Sequence, residues 1–512
     1  MNHSLTILIL VPLLGGLIVA GTGSANRNLA RGLSLFFSLI GLTGALCLWT
    51  HFKNGSGDLQ FVEGPASWVP SLGIQYFLGI DGLGLLMVML TALIVPLSIL
   101  VSWSLDDRPH LYHALILWLQ AGLFGTFTAL NFIHWFMFWE LGLIPAFFLV
   151  KLWGGPNRGP AAMQFFIYTM VGSVALLLSF LAIWLATRSF DFIALKEMAR
   201  NGVLAEKIHA TFGWRNAGLL IFFGAFLGFA VKVPVVPFHT WLPAVYSEAP
   251  SPVTMLLTGV MSKMGVYGFL RILLPIFPDQ IRQVLNLLLW LAVATIVLSA
   301  CAAFAQRDLK RMVAYSSVNH LGYCLLAMFA AVGAATDVHQ PELQKAAALD
   351  GVLLQMFNHG LTASALFLFV ALLEKRSGGL RGLDDFGGLR KVVPVFAGLM
   401  GIALFSSLGL PGLNGFVGEF LVFKGVFPLA PWAAALSTIG LLVTAIFLLT
   451  LIQRVFCGPV NERWARMPDL STAERFLVLP SIALMFVLGI WPQALLGVID
   501  ATVVSLVRQI SS

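Results

Sequence analysis

The chain has 512 residues, of which 59% are hydrophobic and 10% charged, and its mean hydropathy is +0.90. A soluble domain is roughly 45–50% apolar and roughly 25% charged, so composition excludes a soluble enzyme and defines an integral membrane protein. The formal charge of +7 sits as single residues in short connections, which is the pattern of topology determinants and not of a nucleic-acid footprint.

Apolar stretches of about 18 to 25 residues, each long enough to cross a hydrocarbon core of ~30 Å as a helix, recur from end to end. About fourteen spans are expected, near 4–21, 30–51, 82–104, 111–130, 132–151, 163–187, 216–242, 251–276, 284–305, 310–333, 347–373, 393–426, 432–456 and 473–498. The first has no Lys or Arg ahead of its apolar run and reads as a retained helix instead of a signal peptide. The largest loops, 52–80 and 188–215, are of ordinary size, so the fold expected is one all-α polytopic membrane domain. Most Lys and Arg fall on one set of alternate loops, including Arg27, Arg108, Arg158, Lys310, Arg390 and Arg466. The positive-inside rule makes that side cytoplasmic and puts both termini outside the cytoplasm of an inner (plasma) membrane.

The span near 216–242 is interrupted by Pro234 and Pro237, and the span near 393–426 by Pro411, Gly412 and Gly415 in "LGLPGLNGFVGEF". Each is the fourth span of a five-span block, 111–276 and 284–456, flanked by N-terminal helices (1–110) and a C-terminal loop and last helix (457–512). An odd number of spans per block predicts two inverted repeats. A broken helix frees backbone groups that lipid cannot satisfy, so it must line protein or a watered cavity. Lys232 sits at the first break and Glu419 at the second.

Four further ionisable residues lie well inside spans: Glu140, Lys263, His320 and His359. A charge at bilayer depth costs about 2.5–3.5 kcal/mol on insertion scales, so each needs a partner, water or a job. Burial favours uncharged forms and a nearby opposite charge favours charged ones, so a Glu140–Lys232 contact that tightens and loosens would switch the lysine proton. Lys263, His320 and His359 then read as relay steps, histidine having an ordinary pKa of about 6.5, with Glu419 as the last station. A hydrogen-bonded packing role for the two histidines, each beside an Asn, is the competing reading. His239 reads as a cap on the break, Arg271 and Arg454 as snorkelling residues, and Trp135, Trp139, Trp153 and Trp241 as an interface belt. His110 and His113 have no third ligand nearby, so no metal site is expected. The four cysteines form no C-x-x-C pair and no G-x-G-x-x-G or Walker sequence occurs, so no cofactor is expected in this chain.

The segments "FWELGLIP", "VKVPVVPFHTWLPAVYSEAPSPVTMLL", "MSKMGVYGFLRI", "QRDLKRMVAYSSVNHLGYC", "FNHGLTASALFLF" and "LPGLNGFVGEF" resemble, in order and through nearly the whole chain, the antiporter-like proton-translocating subunits of respiratory complex I, the NADH-quinone oxidoreductase. Glutamate at 419, where several branches of that family carry lysine, sets the chain apart from the L and N subunits and from the D subunit of multisubunit sodium/proton antiporters. "WLPAVYSEAP" departs from the Asp-Ala-His sequence of many members. The resemblance implies a translocase subunit in which Glu140 and Lys232 form a coupled pair, Lys263 links two half-channels, His320 and His359 bridge the second, and Glu419 ends it. It implies antiporter-like neighbours on both sides in the membrane arm, and a parent complex using FMN, iron-sulfur clusters and quinone in other chains. A cation/proton antiporter subunit, a piece of a membrane-bound hydrogenase, or a passive scaffold are the alternatives.

Overall fold

The computed structural model describes residues 3–24, 26–333 and 338–511. Two helices, α1 (Ser4–Gly21) and α2 (Arg27–His51), lead into a hairpin of β1 (Gln60–Val69) and β2 (Ile74–Ile80). There follow α3 (Gly82–Val101), α4 (Pro109–Thr128), α5 (Phe132–Trp153), α6 (Arg158–Thr187), the short α7 (Phe192–Arg200) and α8 (Val203–Phe212), then α9 (Ala217–Lys232) and α10 (Trp241–Glu248). Next come α11 (Ser251–Ile276), α12 (Pro278–Gln283), α13 (Leu285–Phe304), α14 (Leu309–Val332) and α15 (Pro341–Ser377). The chain closes with α16 (Pro394–Ser407), α17 (Asn414–Leu429), α18 (Pro431–Phe456), α19 (Thr472–Ile490) and α20 (Gln493–Ser511).

Among the described residues twelve helices are long and apolar enough to span a bilayer, thirteen if the bent pair α8–α9 counts as one. The fourteen expected spans differ from these twelve at four places, each with a physical cause. Helix α14 carries Lys310, Ser316, Ser317, Asn319 and His320 and is too polar to pass on hydropathy, yet all but Arg311 and Tyr315 are buried. The expected spans 216–242 and 393–426 are each two helices. The stretch 473–498 is also two: α19 stops at Ile490 before Pro492, and α20 is a separate amphipathic helix. Thr502 of α20 accepts from Gly82 N at the start of α3 (3.0 Å), Ile510 O accepts from Arg282 (2.5 Å), and Ser511 accepts from Lys345 in the first turns of α15 (3.3 Å). Contacts to the ends of three elements mean that α20 lies across one face of the bundle instead of through it.

The hairpin shares that face, which we call the hairpin face. The Glu63 carboxylate accepts from Leu5 N (2.7 Å) and Thr6 N (3.2 Å), supplying the acceptor and the negative charge that the unsatisfied first turn of α1 needs.

The core lies on α4, α11 and α15, whose spanning windows are mostly to wholly buried, while α1, α2, α6 and α19 turn apolar side chains outward. Lipid makes that outward surface stable, since it needs only apolar cover.

At the first break Val236 N donates to Thr295 Oγ1 of α13 (3.0 Å), and Val231 O accepts from Trp241 Nε1 (3.0 Å). At the second, Asn358 of α15 donates to Asn414 O (2.7 Å), and Ser406 Oγ donates to Asn414 Oδ1 (2.6 Å). Freed backbone groups are thus satisfied by side chains of neighbouring helices, as burial demands. Glycine is required where α17 starts against the end of α16: a Cβ on Gly415 would stand 1.9 Å from Ser406 O.

Candidate functional site

Lys232 is the last residue of α9, where a cation meets the negative end of the helix dipole, and it is only 2% exposed. Its Nζ lies 4.7 Å from the centroid of the Trp139 ring, and Trp139 is held by a hydrogen bond to Ser173 Oγ (3.0 Å). Glu140, the next residue on α5, is close enough for its charge to act on Lys232, but the two form no ion pair within 4.0 Å. Glu140 Oε1 is buried with no hydrogen-bond partner among the described residues. The expected pair is therefore brought together without being closed. Gly265 lets α11 approach this point, since a Cβ there would stand 3.1 Å from Lys232 Cβ.

The other four residues form one connected line. A π-turn over Leu257–Met261 displaces the register of α11, leaving Thr258 O to accept from Ser262 Oγ (3.1 Å) and from Lys263 Nζ. Such single-turn π segments break the regular hydrogen-bond ladder and are frequent at functional sites. Lys263 Nζ lies 2.7 Å from His359 Nδ1 on α15, the His359 and His320 rings are 5.3 Å apart, and His320 Nδ1 lies 3.0 Å from Glu419 Oε1. His320 Nε2 lies 3.2 Å from Ser407 Oγ at the second break, and Gln355 donates to Glu419 Oε1 (3.5 Å). A cavity of about 10 Å³, walled by His320, Gln355, His359, Ser407 and Glu419, has the room a single water requires. All four of these residues are buried.

Close backbone approach sets this geometry. A Cβ on Gly360, beside His359, would stand 2.6 Å from Gly259 O of α11, and one on Gly259 would stand 2.3 Å from Ser364 Oγ. The two glycines let α11 and α15 touch at the level of the Lys263–His359 contact.

Several residues do other things than the sequence suggests. Trp135, Trp139 and Trp241 are not an interface belt: all three are at most 3% exposed, because aromatic bulk fills the space around the first break. Arg271 does not snorkel; it makes an ion pair with Asp81 (2.5 Å) and donates to Tyr267 OH (3.2 Å). His239 contributes its carbonyl to Leu242 N (3.0 Å), while its Nδ1 has no partner among the described residues. Asn319 packs, donating to Ile296 O (2.8 Å). Gln355, Ser407 and Asn414 join the site without having been singled out; polar side chains inside otherwise apolar spans were the available signal. No group of three His, Cys, Asp or Glu that could hold a metal occurs among the described residues.

A helical membrane bundle whose two interrupted helices meet a buried line of Lys, His and Glu belongs to the antiporter-like class of membrane subunits. Residues 129–446 match the family described as NADH:quinone oxidoreductase/Mrp antiporter, TM. Subunit M of the NADH-quinone oxidoreductase of Rhodobacter capsulatus is 34% identical, with 99% of this chain and 97% of that one aligned. Subunit M of the F(420)H(2) dehydrogenase of Methanosarcina mazei is 34% identical over 96% and 95% of the two chains. Among solved structures, a chain of respiratory complex I from Thermus thermophilus with bound NADH superposes with a TM-score of 0.83 at 27% identity, covering 99% of this chain and 100% of that one. The chain belongs to the NADH:quinone oxidoreductase/Mrp antiporter membrane-subunit family.

Proposed function

We propose that this chain is the M-type proton-translocating subunit of a respiratory NADH:quinone oxidoreductase in a plasma membrane. The observation that carries the reading is the unbroken run from Lys263 through His359 and His320 to Glu419, ending at the second broken helix. Each group can hold a proton, and each neighbour is within direct contact or one water of the next.

In this reading Glu140 and Lys232 form a switch. When the carboxylate draws near, the lysine keeps its proton; when it withdraws, the buried ammonium is destabilised and the proton moves on toward Lys263. Trp139 holds the ammonium in place meanwhile, since its ring face attracts a cation. From Lys263 the proton passes to His359, to His320 and to Glu419, where Ser407 and Gln355 orient the acceptor. The blocks 111–276 and 284–456 act as two inverted half-channels, each built around its broken helix. The driver is quinone reduction in another part of the complex, whose FMN, iron-sulfur clusters and quinone belong to other chains, and it reaches this subunit through antiporter-like neighbours along the membrane arm. The hairpin face, with both termini, faces outward.

NADH-driven proton uptake by inverted membrane vesicles tests this, comparing wild type with Lys232→Ala at matched levels of assembled complex. Loss of both NADH oxidation and uptake is expected. Full retention of both would make Lys232 a structural charge and overturn the proposal.

A further inference from the structure

At the face opposite the hairpin, four charged side chains meet the ends of the helices that carry the relay. Helix α10, the half-helix that follows the first break, ends in carbonyl groups that a helix cannot satisfy by itself. Ser247 O accepts from Arg381 Nη1 (2.6 Å), and Ala249 O accepts from Lys310 Nζ (2.8 Å), so two cations stand at the negative end of that helix. Both come from the second block: Lys310, 3% exposed, lies in the first turn of α14, and Arg381 in the connection from α15 to α16. The two share Glu374 Oε1, near the end of α15, each at 3.7 Å. Arg381 Nε also pairs with Oδ2 of Asp308, the N-cap of α14, at 2.5 Å. Glu374 Oε2 accepts from Ser251 Oγ, on the first residue of α11 (2.8 Å). Backbone bonds from Leu309 N to Arg381 O (2.9 Å) and from Leu383 N to Arg307 O (2.8 Å) hold the connection against α14. Two cations and two carboxylates balance, as a buried lysine requires.

We infer that this cluster is the joint that aligns the two blocks, and that Arg381 and Lys310 are positioning residues of the proton path. The inference rests on the proton-translocating reading and extends it from the groups that hold the proton to those that set their spacing. Each segment tied here leads to a transfer group: α11 carries Lys263, α14 carries His320 and α15 carries His359. Helix α10 is tied to the residue beside Lys232, because Trp241 Nε1 donates to Val231 O (3.0 Å). The three relay residues sit about three to four turns from the joint, about 15–22 Å along their helices. A helix is a rod over that length, so a tilt of about 3° at the joint moves its relay residue by about 1 Å. Such a shift is enough to open the 2.7 Å contact of Lys263 with His359, and misplacement of about 1 Å can cost on the order of a hundred-fold in rate. A charged joint suits this task, because charge-assisted hydrogen bonds fix direction whereas apolar contact does not.

The test uses the intact complex reconstituted in vesicles, with NADH-driven proton transport measured in ordinary water and in deuterium oxide at matched assembly. Arg381→Gln is expected to lower transport at least five-fold. It should also raise the ratio of the rates in the two solvents at least 1.5-fold over wild type, because misaligned proton transfer becomes the slow step. A variant that merely inactivated part of the sample would lower transport and leave that ratio unchanged. Asp308→Asn keeps a good N-cap on α14 and removes only the charge opposite Arg381, so it should shift both readouts in the same direction, transport by at least two-fold. Should Arg381→Gln fail to assemble, Asp308→Asn decides alone. Wild-type transport in either assembled variant, or lowered transport with a wild-type solvent ratio, overturns the inference. Lys232→Ala, run alongside, separates the two claims: if it loses transport while these variants keep it, only the joint is misassigned, and if it also transports normally the proton-translocating reading fails with it.

Discussion

Replacing Gly360 by alanine adds one methyl group and changes no ionisable side chain, yet it should disable the relay. The new Cβ would stand 2.6 Å from Gly259 O, and ordinary contact needs about 3.4 Å, so α11 and α15 must part by about 0.8 Å. The Lys263–His359 contact of 2.7 Å then stretches to about 3.5 Å, the weak outer limit of a hydrogen bond. Overpacking costs about 1–3 kcal/mol, while alanine in place of glycine returns roughly 0.5–1 kcal/mol of helix preference, so the complex should still assemble. Misplacing a transfer step by about 1 Å can cost on the order of a hundred-fold in rate, and a ten-fold to hundred-fold fall in uptake is expected. The assay is proton uptake per assembled complex in inverted vesicles, with NADH oxidation followed in the same samples. Wild-type uptake by assembled Gly360→Ala would refute the claim that direct Lys263–His359 contact carries the proton.

Three further outcomes follow from other parts of the structure. Trp139→Leu removes the ring over Lys232, an interaction of about 0.5–2 kcal/mol, and should slow uptake several-fold while assembly, read on a native gel, is unchanged. Glu63→Ala removes the acceptor at the start of α1 and should lower the melting temperature of the purified complex, the loss corresponding to about 0.5–2 kcal/mol, with uptake per complex preserved. Lys196, held at about 8 against an ordinary 10.5, binds fewer protons in the folded protein than in the unfolded chain between those values, so its contribution to stability rises with pH through that window. The melting temperature of wild type relative to Lys196→Gln should therefore climb from pH 8 to pH 10; a flat difference would contradict the burial argument.

Much of this architecture is written in hydropathy, because each spanning helix must bring its own apolar cover. The breaks at Pro234 and Pro237 and at Pro411 and Gly412 were equally legible, and with them Lys232 and Glu419, since proline and glycine inside an apolar run leave few other uses. Contacts between distant segments were not legible. Asp81 and Arg271 lie 190 residues apart, and nothing local marks their pairing, so Arg271 read as a snorkelling residue. The hairpin escaped notice because β1 contains Gly64 and Pro65, its register shifts at three places, and its burial does not alternate. Helix α20 passed for the end of a span because only its amphipathic pattern, not its length, distinguishes a helix lying on the bundle from one crossing it. The tryptophans misled for a related reason: an aromatic at a span end suits an interface and a core equally well, and only packing decides.

Infrared difference spectroscopy of the complex between rest and turnover, wild type against Glu419→Gln, tests the central claim most directly, because it reads the protonation of one carboxyl group. A carboxyl band that changes during turnover in wild type and vanishes in the variant is the result expected if Glu419 ends the buried relay. An identical difference spectrum in both would mean that this carboxylate does not change its protonation state in the cycle, and that the line from Lys263 to Glu419 is not the path.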